Sequence, residues 1–190
     1  QQQVALDALA LLPQEPCGHL LDLGCGPGWI HPRLLSYCQY FTAVDLSTGM
    51  LQKAAESQLA AAYLQADAQQ LPLADASVDK VFSSLMLQWC VDPAAVFTEI
   101  IRVLAPGGKL VLTTLVDGTL SELKQAFACL DNSQHVSAFF RTDEIRQAAS
   151  AVKTLRWQFE TRCYPLYYPD VQALARELKL LGANQVEGRR

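Results

Sequence analysis

The sequence predicts a doubly wound α/β domain, with a mostly parallel sheet and helices on both faces of that sheet. Short apolar runs that suit buried strands alternate, from residue 19 to residue 114, with segments whose apolar residues recur at helical spacing. A run of closely spaced glycines directly follows the first strand, where the backbone must turn into a helix. Right-handed crossovers then place the ends of successive strands along one edge of the sheet.

The first half of the chain supplies three strands. Ser47 is the predicted N-cap of a helix, because its hydroxyl can accept a hydrogen bond from a free amide of the first turn. Asp45 closes the second strand, and Asp67 follows the third. The predicted elements are a helix before the first strand, strand His19–Leu23, helix Trp29–Tyr37, strand Phe41–Val44, helix Gly49–Leu59 and strand Ala62–Leu64.

The second half supplies two further strands. Val78–Leu85 is almost wholly apolar, as expected of a strand that is covered on both faces. Helix Asp92–Leu104 ends at Pro106-Gly107-Gly108, which leads into strand Lys109–Thr114. Weaker patterns predict helices Leu120–Leu130, Thr142–Ala149 and Val171–Leu181 and a long strand, Leu155–Tyr164. A length of 190 residues suits a single domain that spans residues 1–190.

The most informative motif is LDLGCGPGW at residues 21–29, in which Gly24, Gly26 and Gly28 recur at every second position. Glycine lets backbone approach a ligand where any Cβ would collide. The dinucleotide fingerprint does not match, because Trp29 stands where its third glycine would fall. The motif resembles motif I of the class I S-adenosylmethionine (SAM) methyltransferases, a Rossmann-like family; a turn that binds nothing is the alternative. Asp22 is expected to order this loop or to reach the methionine ammonium through water.

The next two strand ends carry candidates for holding the adenosine of SAM. Asp45 lies about twenty residues after the glycine loop, where a carboxylate can accept hydrogen bonds from the ribose hydroxyls. Asp67 can accept from the adenine amine, while the backbone amide of Ala68 meets a ring nitrogen. The residues that could sandwich the adenine, with ordinary core packing as the favoured alternative, are Leu46, Met50 and Leu71.

The end of the fourth strand is the predicted floor between cofactor and acceptor. Ser84 and Leu85 end this strand beneath the expected position of the reactive methyl, and Gln88 and Trp89 follow them. Ser84 is therefore a candidate cofactor contact as well. Transfer of a methyl from a sulfonium needs no nucleophile or paired carboxylates, because the methyl is already activated. Proximity and orientation are expected to supply the catalysis, with no catalytic acid or base.

Three further segments narrow the resemblance, namely SSLMLQWC, TTLVDGTLSEL and LLGANQVEGRR. With the glycine loop they resemble the malonyl-acyl-carrier-protein O-methyltransferase family of biotin synthesis, over nearly the whole chain. The resemblance implies that the free carboxylate of a malonyl thioester, on acyl carrier protein or coenzyme A, is methylated and that S-adenosylhomocysteine is released. That carboxylate is already ionised at pH 7. Arg189 ends the last segment and could hold the carboxylate bidentately.

The resemblance also implies features at the two ends of the chain and on its surface. Such enzymes have an N-terminal helical segment, with a tyrosine, that folds over the cofactor, and a last antiparallel strand. This chain is therefore expected to be truncated at both ends. Carrier proteins are acidic, so a basic docking surface is expected. The candidates for that surface are Arg141, Arg146, Arg176, Lys179, Arg189 and Arg190.

Composition argues against several other classes. The net charge is −4 and the basic residues are dispersed, which argues against a nucleic-acid partner. No apolar stretch approaches the ~18–20 residues that a membrane-spanning helix needs, and no leader is visible, so a cytoplasmic location without membrane contact is expected. The six cysteines include no C-x-x-C pair and the three histidines lie far apart, so no metal is predicted.

Two interpretations from other classes stay open. The chain could methylate another small acceptor, which an assay of malonyl carrier protein against malonyl-coenzyme A and free acids would detect. It could also be a non-catalytic SAM-fold protein that binds without turnover. The intact glycine loop, together with Asp45 and Asp67, argues against a loss of binding.

Overall fold

The computed structural model of the chain shows a five-stranded parallel sheet in the order β3-β2-β1-β4-β5. The structure describes residues 1–128, 138–170, 172–174 and 176. Helices cover both faces of the sheet, so the predicted fold class is confirmed. The strands are β1 (Cys17–Leu23), β2 (Cys38–Asp45), β3 (Ala62–Gln65), β4 (Val78–Ser84) and β5 (Leu104–Thr113).

The helices alternate with these strands and then follow them. The predicted cap at Ser47 is confirmed, since its hydroxyl accepts from the Met50 amide. Among the described residues, no helix is long and apolar enough to cross a membrane. The helices are α1 (Gln2–Leu9), α2 (His31–Leu34), α3 (Thr48–Ala55), α4 (Pro93–Val103), α5 (Ser121–Ala128) and α6 (Thr142–Ser150), with a 3₁₀ turn at Leu87–Trp89.

Two apolar clusters cover the two faces of the sheet. The first joins α1, α2 and α3 to one face, where Phe41 and Phe82 are fully buried. The second, which we call the α4 cluster, joins α4 and α6 to the other face. In it, Phe97 of α4 packs edge-on against Trp157 at 5.2 Å. Because the central strands β1 and β4 are sandwiched between these clusters, apolar side chains are buried on both sides of them.

Two predicted boundaries and one predicted strand are wrong, because strand pairing decides where a strand forms. The second helix is a single turn, because Cys38 already pairs with Cys17 and so begins β2 earlier than predicted. The fifth strand begins at Leu104, directly after α4, since Leu104 pairs with Val78 before a register shift. In the described part of the chain, the predicted strand Leu155–Tyr164 has no strand geometry.

The strand order places a topological switch point between β1 and β4. The chain moves outward from β1 to β2 and β3, and then returns to the other side of β1 to form β4 and β5. In such sheets a crevice opens outside the carboxyl ends of the two central strands, where ligands bind. The glycine loop follows β1 and the predicted acceptor residues follow β4, so this topology brings both to one edge of the sheet.

Candidate cofactor and acceptor site

The glycine loop leaves β1 in a left-handed backbone conformation. Gly24, Gly26 and Gly28 have φ angles of +74°, +55° and +75°, a region that side chains with a Cβ rarely adopt. The amides of Gly24 and Cys25 both donate to the Val44 carbonyl, at 2.8 and 3.0 Å. The loop is thereby held against the end of β2.

The three glycines differ in what surrounds them. A Cβ on Gly24 would collide with the Met86 side chain, and one on Gly28 would lie 2.6 Å from the His31 ring. A Cβ on Gly26 would meet no protein atom within 4 Å. The outer two glycines therefore make room for the protein's own packing, whereas Gly26 borders open space.

Asp45 is bound to the same loop. Its Oδ2 accepts from the Gly26 amide and its Oδ1 accepts from the Ser47 amide, both at 2.8 Å. Each carboxylate oxygen has two acceptor sites, so one on each oxygen remains available for a further donor. The carboxylate is fixed beside the open space at Gly26 and can still accept two hydroxyl hydrogen bonds.

Asp67 and Ala68 follow β3 in a tight turn. The Asp67 carboxylate accepts from the Gln69 amide at 2.8 Å, and its carbonyl accepts from the Gln70 amide at 2.9 Å. Asp67 is exposed, while Ala68 is buried against the α4 cluster. The turn therefore presents a carboxylate at the same edge as Asp45.

The apolar candidates around the adenine divide into two kinds. Leu71 is buried in the core, as the core interpretation predicted. That interpretation is wrong for Leu46 and Met50, which are exposed, Leu46 by 67%. Both follow β2, where the chain has passed the covering cluster and turns into α3. Two exposed apolar side chains therefore stand beside Asp45, although their role toward adenine stays a prediction.

Asp22 and His31 form a buried pair in the cluster that packs under the loop. Asp22 Oδ2 lies 3.2 Å from His31 Nε2, which is within ion-pair distance but without hydrogen-bond alignment. Burial raises the pKa of the Asp22 carboxyl, and the nearby His31 partly opposes that rise. Asp22 is thus enclosed by protein and contacts the ring that Gly28 makes room for.

Burial, followed by the charges of Asp22 and Asp45, raises the pKa of the Cys25 thiol, which therefore stays protonated.

The acceptor side is built from the ends of β4 and β5. Leu85 has a φ of +57°, which is rare for a bulky residue, and its amide donates to the Thr113 carbonyl at 3.0 Å. Ser84 Oγ lies 3.3 Å from Thr113 Oγ1. The buried Gln88 donates to the Leu85 carbonyl at 2.7 Å, while Trp89 is exposed. These contacts fix the turn that carries the four predicted floor residues.

Sequence reasoning missed the partners that hold these residues. Asp22 contacts His31, and Gly24 makes room for Met86. Ser84 contacts Thr113, and Gln88 accepts from Thr114 at 3.1 Å. For His31 a signal existed, because a buried carboxylate needs a polar partner and this histidine begins the next helix.

Some predicted residues lie elsewhere. Arg189 is outside the described residues, as are Lys179 and Arg190. Arg141 pairs with Asp143 at 2.7 Å, and Arg146 lies over the Phe159 ring at 5.0 Å. In the described part of the chain, no group of three or more potential ligands is placed to hold a metal, and the absence of a metal stays a prediction.

Comparison with known proteins identifies the family of the chain. Residues 21–112 match the family model described as "Methyltransferase domain". A protein from Serratia marcescens named malonyl-[acyl-carrier protein] O-methyltransferase is 40% identical over 186 residues, which cover 98% of this chain and 72% of that protein. The biotin biosynthesis bifunctional protein BioHC of Cellvibrio japonicus is 37% identical over 188 residues, which cover 98% of this chain and 38% of that protein.

A solved structure is similar as well. The S-adenosylmethionine dependent methyltransferase from Mesorhizobium loti superposes with a TM-score of 0.54 and 32% identity, covering 58% of this chain and 53% of that one. The family-model match over residues 21–112 includes the glycine loop.

Proposed function

The chain belongs to the malonyl-[acyl-carrier protein] O-methyltransferase family, and from this membership we propose that it methylates the free carboxylate of a malonyl thioester on acyl carrier protein. SAM is the methyl donor and S-adenosylhomocysteine the product. The reaction is an early step of biotin synthesis. The ester masks the negative charge of the malonyl group.

One observation carries the cofactor assignment. Gly26 has a left-handed φ, borders space that no protein atom fills within 4 Å, and donates its amide to Asp45. A cradle of this kind fits a nucleoside whose ribose lies on the carboxylate, because any side chain at Gly26 would fill the space. When bound there, SAM supplies a methyl group that is already activated on a sulfonium.

Each residue around the cradle has a proposed role. Asp45 holds the ribose hydroxyls, and Asp67 with the Ala68 amide holds the adenine edge. Leu46 and Met50 cover the adenine faces, since their exposed apolar surface would then leave water. The glycine loop is held on its packed side by Gly24, Gly28 and Asp22, which do not contact the ligand in this proposal.

The proposed roles on the acceptor side require no proton transfer. Ser84, Leu85, Gln88 and Trp89 orient the acceptor and exclude water, and the carboxylate attacks without a base because it is already ionised. Two hydrogen bonds of the Leu85 backbone support this role, since they hold the turn in place: its carbonyl accepts from Gln88, and its amide donates to the Thr113 carbonyl. Arg189 as the group that holds the malonyl carboxylate stays a prediction.

The proposed basic docking surface has two described candidates at α6. Arg146 and Arg141 lie on or beside α6, but the exposed Asp143 offsets the charge of Arg141. Malonyl-coenzyme A is the alternative acceptor to malonyl carrier protein. A cytoplasmic location, and the lack of nucleic-acid and membrane partners, stay predictions.

The test is mass spectrometry of malonyl carrier protein after incubation with SAM and the protein. We expect one added methyl group on the malonyl moiety, and none with the Gly26→Val variant as the matched control. Parallel reactions with malonyl-coenzyme A and free malonate measure acceptor preference. Binding of S-adenosylhomocysteine without methylation of any malonyl thioester would contradict the proposed reaction and favour the binding-protein alternative.

A further inference from the structure

The loop between β3 and β4, residues 66–77, has no helix or strand geometry although it carries Asp67 and Ala68. Loops with this role usually depend on contacts outside themselves for their conformation. The contacts come from α4 on one face of the sheet. Two α4 side chains, Glu99 and Arg102, provide most of them.

Glu99 and Arg102 form a paired clasp around the backbone of Leu71. The Leu71 amide donates to Glu99 Oε2 at 2.8 Å, and the Leu71 carbonyl accepts from Arg102 Nη2 at 2.9 Å. The two side chains bind each other through Arg102 Nε and Nη2, both at 2.8 Å. Both hydrogen-bonding groups of one peptide residue are thus held by a single ion pair.

The clasp extends toward the end of the loop. Arg102 Nη1 donates to the Leu73 carbonyl at 2.8 Å and to Asp75 Oδ1 at 2.7 Å. The Ala76 amide donates to the Arg102 carbonyl, and the Ser77 amide donates to the Val103 carbonyl, both at 2.8 Å. The planar guanidinium suits this task, since its donors point in fixed directions within one plane.

The clasp also connects to Asp67. The turn closed by the Gln70 amide on the Asp67 carbonyl leads directly into Leu71, and Ala68 and Leu71 are both buried against the α4 cluster. The Glu99 side chain is only 17% exposed, and its hydrogen bond with Arg102 lowers the pKa of its carboxyl. The clasp therefore remains charged at neutral pH.

We infer that Glu99 and Arg102 are positioning residues for cofactor binding, which act by fixing Asp67 and Ala68 at the adenine end of the site. The inference rests on the proposed cofactor site, and neither residue needs to touch the ligand. Loss of the clasp frees the turn, so that the ligand must order it on binding. The affinity for adenosine should therefore fall by about the same factor as the affinity for the whole cofactor.

The test compares Glu99→Gln and Arg102→Lys with Asp75→Asn as the matched control. Glu99→Gln keeps the shape but turns one acceptor into a donor that faces other donors, and Arg102→Lys keeps the charge but loses the fork. Asp75 contacts the same guanidinium, but its side chain is 80% exposed. We expect Kd for S-adenosylhomocysteine and for adenosine, and KM for SAM, to rise about tenfold in the first two variants, while kcat at saturating SAM stays within about twofold. Asp75→Asn should match the wild type.

A double-mutant cycle distinguishes positioning from general destabilisation. In an Asp67→Ala background, Glu99→Gln should weaken adenosine binding much less than it does in the wild type, because the contact that it positions is gone. Thermal unfolding of each variant checks that it folds. Wild-type Kd in a folded Glu99→Gln variant, or full additivity with Asp67→Ala, would overturn the inference. Failure of the wild type to bind S-adenosylhomocysteine would instead contradict the proposed cofactor site.

Discussion

The two halves of the carboxyl edge are built by different means. The proposed cofactor half, after β1, β2 and β3, consists of backbone amides, left-handed glycines and carboxylates at strand ends. The proposed acceptor half, after β4 and β5, consists of side chains that hydrogen-bond to one another and to the backbone, with Leu85 in a strained conformation. Backbone recognition imposes glycine and aspartate at fixed spacings, whereas side-chain networks can be built from many residue types.

The halves also differ in the sequence distance of their contacts. Asp45 binds the Gly26 amide 19 residues away, one βα unit earlier. Ser84 and Thr113 are 29 residues apart, and Gln88 and Thr114 are 26 apart, with α4 and β5 between them. The residues of the contact between Asp45 and Gly26 can be identified from sequence motifs. The contacts of Ser84 and Gln88 with β5 and the residue after it can be identified only from the packed fold.

The largest effect that tests this comparison is expected from Gly26→Val. The variant places a branched side chain in the open cradle and should weaken binding of S-adenosylhomocysteine by about 100-fold or more, or ~3 kcal/mol. Calorimetry measures the affinity. The control is Gly107→Val, since Gly107 also has a positive φ of +81° and no atom within 4 Å of an added Cβ. Equal affinities in both variants would show that the cradle is not the ligand site.

Asp45→Ala tests the carboxylate of the same half. We expect weaker binding by about 1.5–3 kcal/mol, the usual contribution of hydrogen bonds to a charged group. The matched control is Asp92→Ala, which removes the N-cap carboxylate of α4 and should lower stability by about 1 kcal/mol without changing affinity. An unchanged Kd for Asp45→Ala in calorimetry would remove Asp45 from the site.

Gly28→Ala distinguishes the glycines that packing requires from Gly26, which we propose faces the ligand. The added methyl would meet the buried His31 ring at 2.6 Å and the Ala54 Cα at 3.0 Å, so the free energy of unfolding should fall by about 1–3 kcal/mol. Urea denaturation measures this change. In Gly49→Ala the nearest atom is 3.9 Å away, so that variant should not be destabilised. A Gly28→Ala variant as stable as Gly49→Ala would show that this packing does not require glycine.

The smallest effect is expected from Leu85→Gly on the acceptor side. Glycine relieves the left-handed strain but loses side-chain packing, so stability should stay within about 1 kcal/mol of wild type. The value of kcat/KM for the malonyl acceptor should fall about tenfold, or ~1.4 kcal/mol, while the affinity for S-adenosylhomocysteine is unchanged. A loss of affinity for S-adenosylhomocysteine would contradict the expectation, because it would show that Leu85 also affects cofactor binding.

The segment over residues 155–164 has the burial pattern of a strand but does not form one. Leu155, Trp157 and Phe159 do pack against the α4 cluster in the alternation typical of a strand. A strand also needs hydrogen bonds to a neighbouring backbone, and in the described part of the chain this segment pairs with none. Burial pattern follows from local sequence, but strand pairing depends on a partner elsewhere.

The sequence by itself determined the fold class, the glycine loop, and the placing of Asp45 and Asp67 at strand ends. These follow from local rules, because strand periodicity, left-handed turns and helix caps restrict which residues can occupy a position. Only the tertiary structure decided that Gly26 alone among the three loop glycines borders open space, that His31 pairs with Asp22, and that Glu99 and Arg102 hold Leu71. Each of these depends on side chains from separate elements meeting in the packed fold, and residue spacing does not encode those distances.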